Sequence, residues 1–431
     1  MAELKRTLGL FDAFAIGIGA IIGSGIFVVT GVAAGLAGPA LLISLIIGAV
    51  ISAFTALSFA ELSEFIPKEG GGYEFAHELI SPFAGFISGW LWILSNVVTG
   101  VVVSLGFASY LLLFLPFPVD VNLIAALACL GVTFINYMGA RDSSLVNDIL
   151  VIIKLLILAF FVVFGFGLVK ISNFSPFVPN GEIGIMQGAT IIFFAYSGFA
   201  RITLVSEEVK RPKRTIPLAI ILALIISTIV YMMVSITAIG LVGYKMLESS
   251  GSPLADAAQS VNKNLTYLVS IGALVATLSV LLTTLLGLSR ISFAMARDRE
   301  LPQLFSKLDK RSTPYYTVLV FGFSMTVLVF FTNLLQAVAL ANFGSLLYYL
   351  ITNYAALKLK ERVYPRIIPV LGIVTCIVLL LFLSWDAWVI GSAVLFAGAV
   401  YYYIVIRINI KDHILKSKLT KFADRNWRDG K

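Results

Sequence analysis

Apolar runs long enough to cross a lipid bilayer recur along this chain and leave few folds open to it. A window of about 19 residues finds them near 11–36, 40–66, 83–115, 121–140, 145–169, 185–205, 215–243, 265–296, 315–332, 336–357, 367–384 and 387–407. Backbone polar groups in hydrocarbon have no water to bond, so such runs read as membrane-spanning helices. The expectation is an all-α polytopic membrane protein with twelve transmembrane helices, in which residues 1–431 form a single membrane domain. Composition agrees, with 59% hydrophobic and 13% charged residues and a mean hydropathy of +0.98. Pro39, Pro116, Pro118, Pro176, Pro179, Pro212, Pro302, Pro314 and Pro365 fall between spans or at their ends. The basic start followed by an apolar run superficially resembles a secretory signal. That run continues to Leu36, beyond the usual apolar segment of about 7–15 residues, so it reads as the first span.

This first span carries an anomaly. Gly17, Gly19, Gly23 and Gly25 stand inside it, with Ser24 between the last two. Glycine destabilises a helix interior by about 1 kcal/mol relative to alanine, so the helix is expected to unwind near Gly23-Ser24-Gly25. Unwound backbone at membrane depth is tolerated only where it is buried in protein or lines a polar cavity. A new half-helix beginning near Gly25 would aim free N–H groups and a positive dipole end at that cavity, which suits an anion such as a carboxylate. Close helix packing through small residues is the alternative.

Lysine and arginine sort the connectors. With the N-terminus inside, the inner segments hold Lys5, Arg6, Lys68, Arg141 and the basic residues of 210–214, 290–311, 358–366 and 407–431, 26 in all, whereas the outer loops hold only Lys170, Lys245 and Lys263. That asymmetry predicts both termini in the cytoplasm of a cell-membrane protein. It also accounts for the net charge of +8 without a nucleic-acid partner, and the basic tail 409–431 is expected to meet anionic lipid. Cys129 and Cys376 sit in apolar runs and read as packed thiols, and two histidines are too few for a metal cluster. No cofactor is expected.

The sixth span repeats the anomaly, with Tyr196-Ser197-Gly198 inside an apolar helix. Five spans precede it, so spans 1–5 and 6–10 would run in opposite directions through the bilayer. Interrupted segments at matching positions of two such halves point to a transporter site at the midplane. The halves are expected at 8–170 and 184–358, with two appended spans at 364–408.

Ile22-Gly23-Ser24-Gly25-Ile26-Phe27, Pro67-x-x-Gly-Gly-Gly-Tyr73, and Phe193-Phe-Ala-Tyr-Ser-Gly-Phe199 followed by Glu207-Glu208-Val209-Lys210-x-Pro212 resemble the amino acid–polyamine–organocation (APC) transporters. The resemblance implies a LeuT-type fold, a 5+5 inverted-repeat core with discontinuous helices 1 and 6, and secondary transport of amino acids or related amines. Carried over by position, Gly23, Ser24 and Gly25 with the N–H groups of Gly25, Ile26 and Phe27 would hold the substrate carboxylate. Carbonyls of Ile21 and of Ala195, Tyr196 and Ser197 would take its ammonium. Phe194 matches the aromatic that closes over the substrate, and Ser95, Asn96 and Gly100 match side-chain pocket positions. Ser88, Trp92, Ser95 and Thr99 also share one helical face by spacing alone, which predicts an inward polar stripe or interhelical hydrogen bonds.

Two charges lie within spans. Many relatives have an acidic residue after the Gly-Phe of span 6; here Ala200 and then Arg201 follow, which tilts the expected substrate towards neutral or zwitterionic amino acids. An intramembrane arginine should face a cavity or a partner, and Glu207, Glu208 or vestibule carbonyls are the candidates, with snorkelling to the inner headgroups as the alternative. Lys154 stands ten residues into span 5, about 15 Å deep at about 1.5 Å per residue. In some APC members a span 5 lysine supplies an ammonium where sodium-coupled relatives place an ion. Lys154 is therefore expected to bond carbonyls near Gly19 to Ile22 and the hydroxyl of Ser279, with Thr283 one turn on, and to couple protons to transport. An exchanger or uniporter with a static lysine is the alternative. A channel lacks a visible selectivity element, a sensor is expected to carry a larger tail, and an enzyme lacks a catalytic constellation, since His77 and His413 both fall in inner segments.

Overall fold

The computed structural model describes residues 8–66, 70–138, 144–309 and 313–405, and the side chains of all of these except 144–147 and 204–207. Expectations placed on Lys5, Arg6, Pro67, Lys68, Arg141, the tail 409–431 and the side chain of Glu207 fall outside the described residues. The described elements are helical; an isolated bridge pairs Leu8 with Val209. The first span is α1 (Leu10–Ile21), a π-helical turn (Gly25–Val29) and α2 (Thr30–Ala37). Then come α3 (Leu41–Phe65), α4 (Gly72–Leu79), α5 (Pro82–Leu112), α6 (Val121–Tyr137) and α7 (Ser144–Phe166). The sixth span is α8 (Gly181–Tyr196) continued as a 3-10 helix (Ser197–Glu208). It is followed by α9 (Pro212–Val242), α10 (Tyr244–Glu248), α11 (Pro253–Gln259), α12 (Lys263–Arg297), α13 (Tyr315–Leu328), α14 (Leu334–Leu357), α15 (Ile367–Leu381) and α16 (Trp385–Val405).

Among the described residues, eight stretches are long and apolar enough to cross a membrane, which makes this a multi-pass membrane protein. The first of them, Leu10–Phe65, runs 56 residues through a 3-10 turn at Gly38–Ala40. The apolar helices α6, α13 and α15 are shorter, with 17, 14 and 15 residues.

Local chemistry starts these helices where the chain needs them. Ser81 caps α5, its side chain accepting from the Ala84 N–H at 3.2 Å with Pro82 in the first turn. Asn262 caps α12 through the Leu265 N–H at 2.8 Å, and Asn333 with Gln336 forms a reciprocal cap on α14. α5 is the central post: 83% of its apolar window is buried, against α12 and α14 among others, whereas only 11% of the α16 window is buried. α16 therefore lies on the rim with most of its apolar surface left for lipid. α3 packs on α8 and α9, and α1 on α7 and α9. Phe59 of α3 sits in an aromatic cluster with Phe75, Phe199, Tyr348 and Tyr349 at 5.6–6.0 Å between ring centroids.

At the end of the bundle where α12 stops, Tyr73 of α4 reaches two carboxylates, Asp298 Oδ2 at 3.0 Å and Glu300 Oε2 at 2.9 Å. One phenolic proton cannot serve both, and His77 Nε2 stands 3.9 Å from Glu300 Oε1. Burial pushes the Glu300 carboxyl up to about 7, a rise that the Tyr73 hydrogen bond opposes and Asp298 reinforces. With a folded-state value above the unfolded one, the packed state holds a proton that the unfolded chain releases as pH climbs from the ordinary carboxylate range to about 7. Stability of this end therefore falls with rising pH in that window. The thermal midpoint of the purified protein is expected to drop between pH 5 and pH 8, and Glu300→Gln is expected to flatten that slope; an equal slope in the variant would assign it elsewhere.

Candidate functional site

Both broken spans meet at one cavity of about 590 Å³ of non-protein space. α1 ends because Ile22, whose N–H still reaches Ile18 O at 2.8 Å, turns out of helical geometry with ψ 89°. Regular bonding resumes when the Phe27 N–H reaches Gly23 O at 3.4 Å. The N–H groups of Gly23, Ser24, Gly25 and Ile26 thus fall in the first turn of the new half-helix, where no intrahelical acceptor is available. Gly23, Ser24 and Gly25 line the cavity with Ala20 and Ile21. Ile26 and Phe27 do not: both are fully buried, the Phe27 amide is spent on Gly23, and its carbonyl accepts from Tyr110 at 2.6 Å. The anion-facing amides therefore lie one to two residues earlier than the sequence reading put them.

Glycine is required here by close approach. A Cβ on Gly25 would stand 2.6 Å from Ala195 Cα, and one on Gly198 would stand 2.4 Å from the Ala20 carbonyl carbon. The two breaks press backbone to backbone, each through its own glycine.

The carbonyls at these helix ends, where the resemblance places a substrate ammonium, already accept hydrogen bonds from tyrosines of other helices. The Tyr231 hydroxyl of α9 lies 2.7 Å from Ile21 O and 3.0 Å from Ala195 O, so its single proton bridges the ends of α1 and α8. Tyr349 of α14 donates to Ser197 O at 2.6 Å, and Tyr196, fully buried, turns away to Leu45 O at 3.2 Å. A carbonyl has two lone pairs, so these oxygens retain acceptor capacity but not as isolated sites. Ala195 faces Gly25, while Phe194 and Ser197 line the cavity.

Lys154, fully buried, donates from Nζ to Gly19 O at 2.9 Å and to Ile22 O at 3.0 Å. These are carbonyls of the last turn of α1, the negative end of its dipole. The expected bond to Ser279 is not formed. The Thr283 hydroxyl turns back to Ser279 O and Val280 O, both at 3.1 Å, and accepts from Arg201 instead.

Arg201 neither snorkels nor pairs with Glu208, whose carboxylate stands 3.9 Å from Arg290. Its guanidinium lines the cavity, with Nη1 on Thr283 Oγ1 at 3.0 Å, Nη2 on Thr284 Oγ1 at 2.7 Å and Nη2 at 3.5 Å from Asn96 Oδ1. On α5, Trp92, Ser95 and Thr99 of the stripe line the cavity, and so does Asn96, expected there from the resemblance. Gly100 faces away, against Met325 of α13, and Ser88 is buried outside the lining. The sequence reading missed Tyr231, Ser345, Tyr348, Tyr349 and Thr284. A mid-span tyrosine whose hydroxyl must find a partner was the available signal.

An all-helical, multi-pass membrane protein with a small-molecule cavity between two broken helices is the class that these features define. A protein-family model described as "Amino acid permease" matches residues 8–408. Relatives include the branched-chain amino acid permease BcaP of Bacillus subtilis, 34% identical over 440 residues with 95% of each chain covered. The methylthioribose transporter of the same organism is 33% identical, with 94% of each chain covered. The vacuolar cationic amino acid transporter 4 of Arabidopsis thaliana is 32% identical over 83% of this chain and 64% of its own. The chain belongs to the amino acid permease family of the APC superfamily, whose relatives named here are permeases and transporters rather than enzymes.

Substitution at Gly25 tests the site. Gly25→Leu is expected to insert but to lose amino acid binding, because its Cβ meets the Ala195 backbone and drives the two breaks apart, while Gly131→Leu, with nothing within 4 Å of its Cβ, is expected to behave as wild type. The readout is the thermal shift that an amino acid ligand produces on each purified variant. Retained ligand shift in Gly25→Leu would separate the helix break from binding.

Proposed function

We propose that this protein is a proton-coupled secondary transporter that moves neutral or broad-range L-amino acids by alternating access. Support for the layout comes from the 56-residue stretch, long enough for two crossings about Gly38–Ala40, and from α6, α13 and α15 read as one crossing each; with the remaining seven stretches these give twelve spans. The halves 8–170 and 184–358 would form the inverted repeats, 364–408 the appended pair, and the basic tail 409–431 would lie in the cytoplasm with the N-terminus. Support for the substrate class comes from family membership, with relatives named for branched-chain and cationic amino acids and for methylthioribose.

In this reading the amides from Gly23 to Gly25 bind the substrate carboxylate, the ammonium shares the carbonyls near Ile21 and Ser197, and Phe194 closes over the bound molecule. Protonated Lys154 holds α1 in one arrangement through Gly19 and Ile22. Loss of its proton removes the charge that strengthens both bonds, and the weakened tether frees the broken helix to move. The observation that carries the reading is a fully buried lysine whose two acceptors are the end carbonyls of the helix that the substrate touches. A charge at that depth costs on the order of 3 kcal/mol on insertion scales, a cost that a purely structural position could avoid with an apolar residue.

Uptake into proteoliposomes tests it. An inward proton gradient without sodium is expected to drive accumulation of a labelled amino acid by wild type, and Lys154→Ala is expected to abolish accumulation. Sodium-dependent, pH-insensitive accumulation, or gradient-free exchange alone, would remove the proton from the mechanism.

A further inference from the structure

The cavity lining contains one charged side chain among the described residues, Arg201, and no carboxylate. Its hydrogen-bond partners are neutral: the hydroxyls of Thr283 and Thr284 and, at 3.5 Å, the amide oxygen of Asn96. Each partner is itself oriented. The Thr283 hydroxyl spends its proton on the Ser279 or Val280 carbonyl and so offers only a lone pair, and Asn96 Nδ2 donates to Trp92 O at 2.9 Å, which turns Oδ1 to the guanidinium. A guanidinium has five N–H donors, and these three contacts hold its plane at the wall of the cavity. Among the described residues this is a preorganised cation without a counter-charge at membrane depth, where an unpaired arginine is costly.

The half-helix start at Gly23–Gly25 on the same cavity is a second electropositive feature. The carboxylate common to all amino acids satisfies that one, and a neutral side chain brings no negative charge to match Arg201. We propose that the cavity takes L-amino acids whose side chain is anionic, with Arg201 the residue that selects them by pairing with the side-chain carboxylate. Thr283, Thr284 and Asn96 position the guanidinium. A cationic side chain meets like charge there, which costs affinity, and Trp92, Phe194, Tyr348 and Tyr349 supply the apolar walls that strengthen the ion pair.

This inference rests on the transport reading and narrows its broad range to acidic substrates. The experiment measures uptake of labelled L-glutamate, L-aspartate, L-glutamine, L-leucine and L-lysine by wild-type protein in proteoliposomes, followed by the glutamate-to-glutamine ratio of kcat/KM in Arg201→Gln and Arg201→Lys. Wild type is expected to take up glutamate or aspartate in preference to glutamine and to reject lysine. Arg201→Gln is expected to lower the glutamate-to-glutamine ratio at least tenfold, and Arg201→Lys, which keeps the charge but not the planar fork, is expected to recover part of it. Wild-type uptake of glutamine or leucine without glutamate or aspartate overturns the acidic class and leaves the transporter reading standing, whether or not either variant folds. An unchanged ratio in Arg201→Gln overturns the role of Arg201. Uptake of none of the five overturns the transport reading and this inference with it.

Discussion

A helix that stops in the middle of a bilayer strands its last carbonyls where no water reaches them, and the rest of this structure is arranged around that constraint. Each orphan costs several kcal/mol in hydrocarbon. Here both broken spans are closed by side chains sent from other helices: Lys154 of α7 on Gly19 and Ile22, Tyr231 of α9 on Ile21 and Ala195, and Tyr349 of α14 on Ser197. Bonds involving a charged group contribute about 1.5–3 kcal/mol, more than neutral ones, so the lysine is the strongest of these closures. It is also the one that a change of protonation can weaken.

The glycines follow from the same constraint. For one hydroxyl to serve two carbonyls on two helices, those helices must approach backbone to backbone. Any side chain at Gly25 or Gly198 would hold them apart, with Cβ contacts of 2.6 Å and 2.4 Å. Close contact through small residues was the alternative reading of the Gly-Ser-Gly stretch. In the structure the packing and the break are one feature, since Gly25 supplies the contact while Gly23 and Ser24 supply the free amides.

What local pattern encodes was legible. Each of the twelve apolar runs contains a helix, and the ends agree to within a few residues, as with 83–115 against Pro82–Leu112 and 265–296 against Lys263–Arg297. The stripe Trp92, Ser95, Thr99 obeys helical periodicity and faces the cavity as that periodicity demands; Gly100, a further 100° round α5, faces Met325 instead. What joins distant residues was legible only in part. Lys154 and the end of α1 could be matched because depth is set by counting residues from a loop. No count relates Tyr231 to Ile21, 210 positions away, or turns Arg201 towards Thr283 and Thr284. Those partners are fixed by how helices pack, and packing leaves no periodic mark. The π-helical turn Gly25–Val29 was illegible too, because no residue periodicity marks a single wider turn.

The closures also decide how far a disturbance at the cavity can travel. Gly23, whose amide faces the cavity, directly follows Ile22, whose carbonyl holds Lys154. They share one peptide unit, so an anion that draws on the Gly23 N–H polarises the carbonyl bonded to the ammonium, and hydrogen bonds in such a chain reinforce one another. On the other side, Ile21 O and Ala195 O compete for one Tyr231 proton, so motion of either break shifts the bond to the other. A ligand at the unwound turn therefore has direct covalent and hydrogen-bonded routes to both tethers of α1, with no need of a longer pathway. Two alternative acceptors for one proton are the minimum that a two-state element needs, and these two lie where the broken helices meet, beside the cavity.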